Sequence, residues 1–468
     1  MSLIDRDREL KSLDQFWLSE RAECILVTGR RRVGKTYLLE RFAADKRTAY
    51  YRCELRRSDE QLPQLGAALA SLSGDPVLAA QPPTSWPAIF ALIERLTRDA
   101  RLLLIIDEIP YWVARDESIP SVLQNWWDAR GRTLDLMLVL CGSAVQMMER
   151  LLTGDAPLAG CVTGRLAVRP FDFRAAAQLL GFADPIDNLT AYGILGGVPL
   201  YLTFFRSDRP LRENILRAIA SPTSRLYVEP QAVFAAHHAS YDAQQALSVL
   251  RAIAQRQHQW SDIVRATGLA PAQLSRLLDP LIGDLGLVER VLPVTETRAT
   301  KSYYTQYHLT DNFFRFWFQF IEPNQGTIEF GDAEHVVDAI LARLPEYMGA
   351  VFESMCRDFV WLASAAGDVP IRVTRVGSWW DPDHQIDVVG LGSDGQVVVT
   401  GECKWQTSPF GWDDLERYLG HVHALGRRLR PDATHLLFSK SGFALNVQQW
   451  ATQKGAQLLT PADLLTPL

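Results

Sequence analysis

Residues 24–42, CILVTGRRRVGKTYLLERF, place an apolar run directly before a glycine-bounded loop and the start of a helix. The spacing Gly29-x4-Gly34-Lys35-Thr36 matches the pattern G-x-x-x-x-G-K-S/T without a mismatch. In such a loop the backbone N–H groups and the positive end of the helix dipole surround phosphate oxygens. The segment therefore predicts an α/β domain built on a parallel sheet, and a chance strand–turn–helix is the alternative.

Each part of this loop has an expected role toward a nucleotide. Lys35 would reach the β- and γ-phosphates, and the Thr36 hydroxyl would hold Mg²⁺. ATP and Mg²⁺ are therefore the expected cofactors. The residues expected to contact the nucleotide here are Gly29, Arg30, Arg31, Arg32, Val33, Gly34, Lys35, Thr36 and Tyr37.

Two further apolar runs end in polar residues that would complete the site. RLLLIIDEIP, residues 101–110, ends in Asp107 and Glu108, and LDLMLVLCGS ends in Ser143. An acid at the carboxyl end of a buried parallel strand lies beside the phosphate loop, so we expect Asp107 to hold Mg²⁺ and Glu108 to polarise the attacking water. An exposed acid pair at a strand end is the alternative. Ser143 would contact the γ-phosphate or the water, or else cap the next helix.

Composition excludes some classes of protein. The 468 residues carry a net charge of −6, so no global positive field indicates nucleic-acid binding. No run reaches the roughly 18 apolar residues of a membrane helix, and the first residues lack the apolar core of a signal peptide. The six cysteines show neither zinc spacing nor a disulfide framework. We expect a cytoplasmic protein of about two to four domains, without a membrane partner and with homo-oligomerisation left open.

The middle of the chain has a helical pattern and then a helix-turn-helix pattern. Residues 173–236 suit a helical lid, and 237–325 suit a winged helix, because two amphipathic helices precede a β-rich stretch. The winged helix would either be structural, as a lid or partner surface, or contact DNA directly. The residues that could contact DNA are Gln273, Ser275, Arg276, Arg290, Arg298 and Lys301, and Asp279 and Asp284 oppose such contact.

The last third predicts the element order αβββαβαβ. QIDVVGLGSDGQVVVTGECKW, residues 385–405, predicts a β-hairpin with an Asp-Gly turn signal. Asp387 would then lie opposite Glu402 or Thr400, and either register puts Asp387, Glu402 and Lys404 on one face. Opposed Cβ atoms lie about 5 Å apart and diagonal ones about 7 Å apart, so the carboxylates and the lysine suit an Mg²⁺ site.

The segments IDRDRELKSL, GRRRVGKT, IIDE, LCGS and GGVPLYL occur in an order that resembles the archaeal-type ATPase family of STAND-related AAA+ P-loop ATPases. The resemblance implies that Arg6 and Glu9 lie near the adenine and that Pro199 packs near the nucleotide from the lid. The family usually has a Gly-Arg pair where this chain has Cys161. Arg165, four residues on, would have to substitute for that arginine, so hydrolysis is expected to be slow or partner-dependent.

The hairpin residues resemble the PD-(D/E)XK nuclease superfamily, with Asp387, Glu402-x-Lys404 and an upstream Glu353. The resemblance implies that Glu353, Asp387 and Glu402 hold metal ions and that Lys404 orients and activates a water at a phosphodiester. The expected α/β architecture is a P-loop parallel-sheet ATPase core (1–172), a helical lid (173–236), a winged helix (237–325) and a restriction-endonuclease-like domain (326–468).

Two functions fit these patterns. The first is an ATPase whose nucleotide state is coupled to a metal-dependent nuclease acting on nucleic acid, with DNA favoured over RNA. The second is a nucleotide-dependent switch or DNA-binding regulator whose nuclease-like domain is inert.

Overall fold

The computed structural model describes residues 4–154, 156–235, 242–283, 285–296, 304–367 and 372–466. The chain forms two compact units. Unit 1 comprises Met1–Pro170 with Gly283–Leu285, and unit 2 comprises Phe171–Ile282 with Gly286–Leu468. The predicted division into four domains stays a prediction. Within the described ranges, no helix has both the length and the apolar character needed to cross a bilayer.

Unit 1 is built on a five-stranded sheet in which every neighbouring pair is parallel. The strands are β1 (Glu23–Thr28), β2 (Thr48–Arg52), β3 (Leu102–Asp107), β4 (Leu136–Gly142) and β5 (Gly164–Ala167), in the spatial order β2-β3-β4-β1-β5. Its helices are α1 (Asp7–Trp17), α2 (Lys35–Ala43), α3 (Ser58–Ala70), α4 (Pro76–Ala80), α5 (Trp86–Leu96), α6 (Ile109–Val113), α7 (Ile119–Ala129) and α8 (Val145–Arg150). The predicted parallel α/β core is confirmed.

The central strands of this sheet are buried on both faces. Alternate residues of β1 enter opposite apolar clusters, Leu26 on one face and Val27 on the other. Leu104 and Ile105 divide in the same way on β3. Helices that cover both faces explain why these strands are continuously apolar. The carboxyl ends of β3, β4 and β1 therefore meet at one edge, with β4 in the middle.

Unit 2 begins with helices and then a small antiparallel sheet. The helices are α9 (Phe173–Leu180), α10 (Pro185–Leu195), α11 (Pro199–Leu202), α12 (Leu211–Ala218), α13 (Arg225–Ala235), α14 (Ala243–Ala254), α15 (Trp260–Thr267) and α16 (Pro271–Ile282). The strands β6 (Val288–Val291) and β7 (Gln306–Leu309) pair with each other. This order agrees with the predicted helical segment and helix-turn-helix. Asp284, Arg298 and Lys301 lie outside the described residues.

An aromatic helical stretch leads to the second sheet of unit 2. It comprises α17 (Asn312–Phe316), a π-helical turn at Trp317–Ile321 and α18 (Gln325–Glu329). The elements that follow are α19 (Ala333–Ala366), β8 (Arg375–Trp380), β9 (Gln385–Leu391), β10 (Val397–Lys404), α20 (Trp412–Ala424), β11 (Leu429–Ser439), α21 (Leu445–Lys454), β12 (Gln457–Leu459) and α22 (Pro461–Leu465).

This second sheet has the order β12-β11-β10-β9-β8. The pairs β8–β9 and β9–β10 are antiparallel, whereas β10–β11 and β11–β12 are parallel. A mixed sheet follows from the chain path, because hairpin-length connections join antiparallel strands and helical crossovers join parallel ones. From α19 to β12 the elements occur in the order predicted from the sequence.

Candidate functional site

The loop after β1 has a conformation that its two glycines permit. Gly29 has a φ of 155°, and a Cβ built there would lie 2.3 Å from the Val168 carbonyl oxygen. Gly34 has a φ of 95° and is followed by the first residue of α2, Lys35. A side chain at position 29 would collide with backbone, and at either position it would strain the chain. The loop therefore packs closely against the segment that follows β5.

Lys35 lies folded over its own loop. Its Nζ donates to the carbonyl oxygens of Gly29 at 2.7 Å and Arg30 at 3.0 Å. Only 5% of the residue is exposed, and this burial lowers the pKa of the ammonium group. A buried cation held by two carbonyls is placed to exchange them for phosphate oxygens.

Arg6 connects the loop to the end of β5. Its Nη2 donates to the carbonyl oxygen of Val33 at 3.0 Å and to that of Arg169 at 2.7 Å, and its Nη1 lies 2.9 Å from Glu9 Oε1. The side chain is almost fully buried. These contacts position the loop, and a contact with adenine stays a prediction.

Asp107, at the end of β3, is completely buried among hydrogen-bond donors. Its Oδ2 accepts hydrogen bonds from Thr36 Oγ1 at 2.9 Å and from the Tyr50 hydroxyl at 2.8 Å. Its Oδ1 accepts one from the Glu108 backbone N–H at 3.0 Å. Thr36 and Asp107 are thus brought together as the sequence predicts, and their hard oxygen atoms fit Mg²⁺.

Glu108 is held in an unusual conformation beside Asp107. It has φ 54° and ψ 40°, in the left-handed region that non-glycine residues rarely occupy. Its Oε2 accepts hydrogen bonds from the Ser143 hydroxyl at 2.7 Å and from the Ser143 backbone N–H at 3.0 Å. The residue at the N-cap of α8 is Ala144, so Ser143 does not cap that helix. Backbone strain of this kind concentrates at functional sites.

The other predicted loop residues differ in how exposed they are. Arg31 is exposed, and its Nη2 donates to the Tyr111 hydroxyl at 2.9 Å. Arg32 has a φ of 69°, and Tyr37 is 48% exposed. Arg30 contributes its carbonyl to Lys35. Their nucleotide contacts stay predictions.

Cys161 stands where the family usually has an arginine, and Arg165 is the expected substitute for that arginine. The two residues have different surroundings. Cys161 is 2% exposed and belongs to an apolar cluster, and burial raises the pKa of its thiol. An arginine side chain at position 161 would bring its charge into this apolar cluster. Arg165 is exposed on β5 and pairs with Leu26, two residues before the end of β1. Pro199 begins α11 in unit 2.

The C-terminal candidate site is organised by the β9–β10 register. The pairs Val389–Thr400 and Val388–Gly401 set this register, which continued by one position would place Asp387 opposite Glu402. Asp387 Oδ2 accepts a hydrogen bond from the Cys403 backbone N–H at 3.0 Å. The Val388–Gly401 pair has the register that the prediction with Asp387 opposite Glu402 requires, and the ladder ends at that pair.

The carboxylates of Glu353, Asp387 and Glu402 affect one another electrostatically. Burial, followed by the charge of Asp387, raises the pKa of Glu353 to about 8 and that of Glu402 to about 7. Burial also raises the pKa of Asp387. Like charges in a desolvated site are typical of functional positions, although structural ion-pair networks have the same effect.

Two cations offset these acids. Lys404 Nζ lies 2.6 Å from Glu402 Oε1. Arg357 Nη1 lies 3.7 Å from Glu353 Oε2 and donates to the Asp387 carbonyl oxygen at 2.9 Å. In the described parts of the chain, no three His, Cys, Asp or Glu side chains are grouped so as to hold a metal ion. The predicted metal site of Glu353, Asp387 and Glu402 is therefore not assembled in this structure.

The sequence interpretation missed two residues of these sites. Tyr50 contacts Asp107 although 57 positions separate them, and no motif marks it. Arg357 lies one helical turn after Glu353, a spacing that could have indicated a partner for that acid.

Comparison with known proteins agrees with the nucleotide site. Residues 3–205 match the family model described as an ATPase domain predominantly from Archaea. Residues 317–415 match a model of archaeal and bacterial proteins of unknown function. An uncharacterized protein of Methanocaldococcus jannaschii is 27% identical over 461 residues, 94% of this chain and 100% of that protein. An uncharacterized ATP-binding protein of the same organism is 41% identical over 44 residues, 9% of this chain and 75% of that protein.

A solved structure is similar in fold. The Walker-type ATPase of Pyrococcus abyssi matches with a TM-score of 0.52 and 19% identity, over 68% of this chain and 96% of that protein. The family match and the loop geometry agree on the same residues. The match and the loop geometry together support a P-loop ATPase domain in residues 3–205.

Proposed function

We propose that this ATPase couples its nucleotide state to a nuclease site in unit 2, with DNA as the preferred nucleic acid. The observation that carries the proposal is that the Asp387 carboxylate accepts a hydrogen bond from the Cys403 backbone N–H, between Glu402 and Lys404, and that Lys404 is bonded to Glu402. Two acids and a lysine on one strand pair are the residue types that phosphodiester hydrolysis uses.

ATP hydrolysis follows from the residues of unit 1. Lys35 would exchange the carbonyls of Gly29 and Arg30 for phosphate oxygens of ATP. When bound, Mg²⁺ neutralises charge on those phosphates. Glu108 is fixed through Oε2 by Ser143, and its other oxygen, Oε1, is not used in that contact and can accept a proton from the attacking water.

For the nuclease site, two observations support the proposal. The site is desolvated and acidic, and the pKa of Glu402 is raised to about 7 by burial and by Asp387. A desolvated cluster of like charges favours binding of a cation. The described residues do not preassemble a metal site, and the comparison of Mg²⁺ with EDTA tests the metal dependence of cleavage.

A second function is favoured by a different observation. Glu402 already has Lys404 as its partner and Glu353 lies near Arg357, so two of the three acids are neutralised within the chain. Such a site suits an inert domain in a nucleotide-dependent switch. That protein would bind DNA or a protein partner without cleaving nucleic acid.

Incubation with supercoiled plasmid or with single-stranded RNA separates these functions. Wild type is compared with Asp387→Asn, Glu402→Gln and Lys404→Met, in Mg²⁺ and in EDTA. Asp413→Asn, which changes an exposed carboxylate on α20, is the matched control. We expect nicking of the plasmid in Mg²⁺, loss of nicking in the three variants, and no loss in the control.

Two other results contradict the nuclease. Absence of cleavage of both substrates by wild type supports the switch, and cleavage that persists in all three variants indicates a contaminating nuclease. Lys35→Ala in the same assay tests coupling. If the variant nicks DNA at the wild-type rate with and without ATP, the two sites are not coupled.

A further inference from the structure

We propose that Tyr50 is a positioning residue for the magnesium site. Its hydroxyl holds the Asp107 carboxylate in place while Thr36 binds the ion. The inference concerns the ATPase domain and does not depend on the nuclease site.

The strand order explains how Tyr50 reaches Asp107. β2 lies beside β3, with Tyr50 paired to Ile105 and Arg52 paired to Asp107. Side chains two residues apart on a strand share a face, so Tyr50, Ile105 and Asp107 all face α2. Tyr50 packs against the apolar cluster on that face, to which Ile105 belongs. The Tyr50 ring reaches from β2 toward the end of β3, so its hydroxyl lies 2.8 Å from Asp107 Oδ2.

The two hydroxyl groups on Oδ2 have different positions in the site. Thr36 belongs to the phosphate loop, and its oxygen is the one the motif assigns to Mg²⁺. Tyr50 lies on β2, outside the phosphate loop. When the Thr36 oxygen binds the ion, the Tyr50 hydroxyl still holds the carboxylate in place. Groups that orient metal ligands in this way affect metal affinity strongly.

Tyr50 is suited to act as a permanent donor. A phenol has an ordinary pKa of about 10, so the hydroxyl keeps its proton at neutral pH. A protonated phenol donates to the carboxylate and cannot repel it.

Tyr51 provides a matched control on the neighbouring position. Its side chain belongs to the cluster on the opposite face of the sheet, and its hydroxyl donates to Gln61 Oε1 at 3.0 Å. Tyr51→Phe therefore removes one buried tyrosine hydroxyl from the same strand without touching Asp107.

The experiment measures the affinity for a fluorescent ADP analogue in EDTA and in excess Mg²⁺. The ratio of the two affinities is the contribution of magnesium. We expect Tyr50→Phe to lower this ratio about 10-fold, with the affinity in EDTA unchanged, because loss of an outer partner of a metal ligand typically has an effect of this size. Tyr51→Phe should leave the ratio at the wild-type value. Tyr50→Leu should reproduce the effect of Tyr50→Phe and serves as a second variant.

The inference is overturned if the ratio for both Tyr50 variants equals that of wild type. It is also overturned if Tyr51→Phe lowers the ratio equally, since the effect would then reflect general loosening of β2. If wild type itself bound no nucleotide, the assignment of the ATPase site would be contradicted. That result differs from a failure of the Tyr50 inference, because it is seen before any variant is compared.

Discussion

Ser143 donates two hydrogen bonds to a single carboxylate oxygen of Glu108, from its hydroxyl at 2.7 Å and from its backbone N–H at 3.0 Å. Glu108 follows β3 and Ser143 follows β4, so the contact spans two adjacent strands at the carboxyl edge of the sheet. The contact fixes the acid for which we propose the activation of water.

Ser143→Ala should lower the rate of ATP hydrolysis and leave ATP binding nearly unchanged. The variant keeps the backbone donor and loses the hydroxyl donor, and a hydrogen bond to a charged group contributes about 1.5–3 kcal/mol. We therefore expect kcat to fall about 10- to 100-fold, with KM changed less than about threefold. Steady-state phosphate release measures both constants. Ser71→Ala, at an exposed helix end, is the control. An unchanged kcat for Ser143→Ala would contradict the prediction, because Glu108 would then act equally well without this hydroxyl.

Lys35→Ala should abolish nucleotide binding. The ammonium group is buried over the loop, and its removal takes away the cation expected to meet the β- and γ-phosphates. Calorimetric titration with ATP and Mg²⁺ should show a loss of about 100-fold or more in affinity, because more than one charge-assisted hydrogen bond is lost. Lys11→Ala removes an exposed lysine on α1 and should bind normally. Equal affinity in both variants would contradict the assignment of the loop.

Cys161→Arg should destabilise unit 1 and should not raise turnover. The thiol is 2% exposed inside an apolar cluster, and an arginine there would bury an unpaired charge at a cost of several kcal/mol. A thermal melt should show a lower unfolding temperature than wild type. Gly160→Arg places the same charge at the preceding position, where an added Cβ has no heavy atom within 4 Å, and should melt near wild type. Faster hydrolysis by a stable Cys161→Arg variant would instead favour the family arginine at this site.

Acid should destabilise unit 2 through His258 and His308, whose ring centroids lie 4.1 Å apart. Burial, followed by Arg315 and Arg256, lowers the pKa of His258 to about 4. Burial, followed by His258, Arg315 and Arg357, lowers that of His308 to about 2. The folded chain thus keeps both rings neutral, whereas the unfolded chain takes up protons below about pH 6.5. Stability is therefore fully present above that pH and is lost as the pH falls toward the folded-state values.

His308→Gln removes one of these titrating groups and should flatten the pH dependence. Unfolding midpoints measured between about pH 7.5 and 5 should fall less steeply for this variant than for wild type, because fewer protons are taken up on unfolding. His423→Gln, at an exposed position on α20, should follow the wild-type curve. Parallel curves for wild type and His308→Gln would contradict the prediction.

The residues of the phosphate loop could be assigned from the sequence because they are contiguous. A strand, a loop with glycines at two required positions and a helix start need only local geometry, so their spacing identifies them. The same holds for Asp387 and Glu402, which belong to sequential strands joined by a short turn. Alternation along each strand then leaves two registers, of which the structure selects one.

The contacts between distant segments could be known only from the folded sheet. Tyr50 reaches Asp107, and Ser143 reaches Glu108, because the order β2-β3-β4-β1 makes neighbours of strands that are far apart in the chain. The burial of Cys161 likewise depends on which surfaces pack together. Local spacing encodes the shape of one turn or hairpin, whereas the neighbours of a side chain depend on long-range packing that no short stretch of sequence contains.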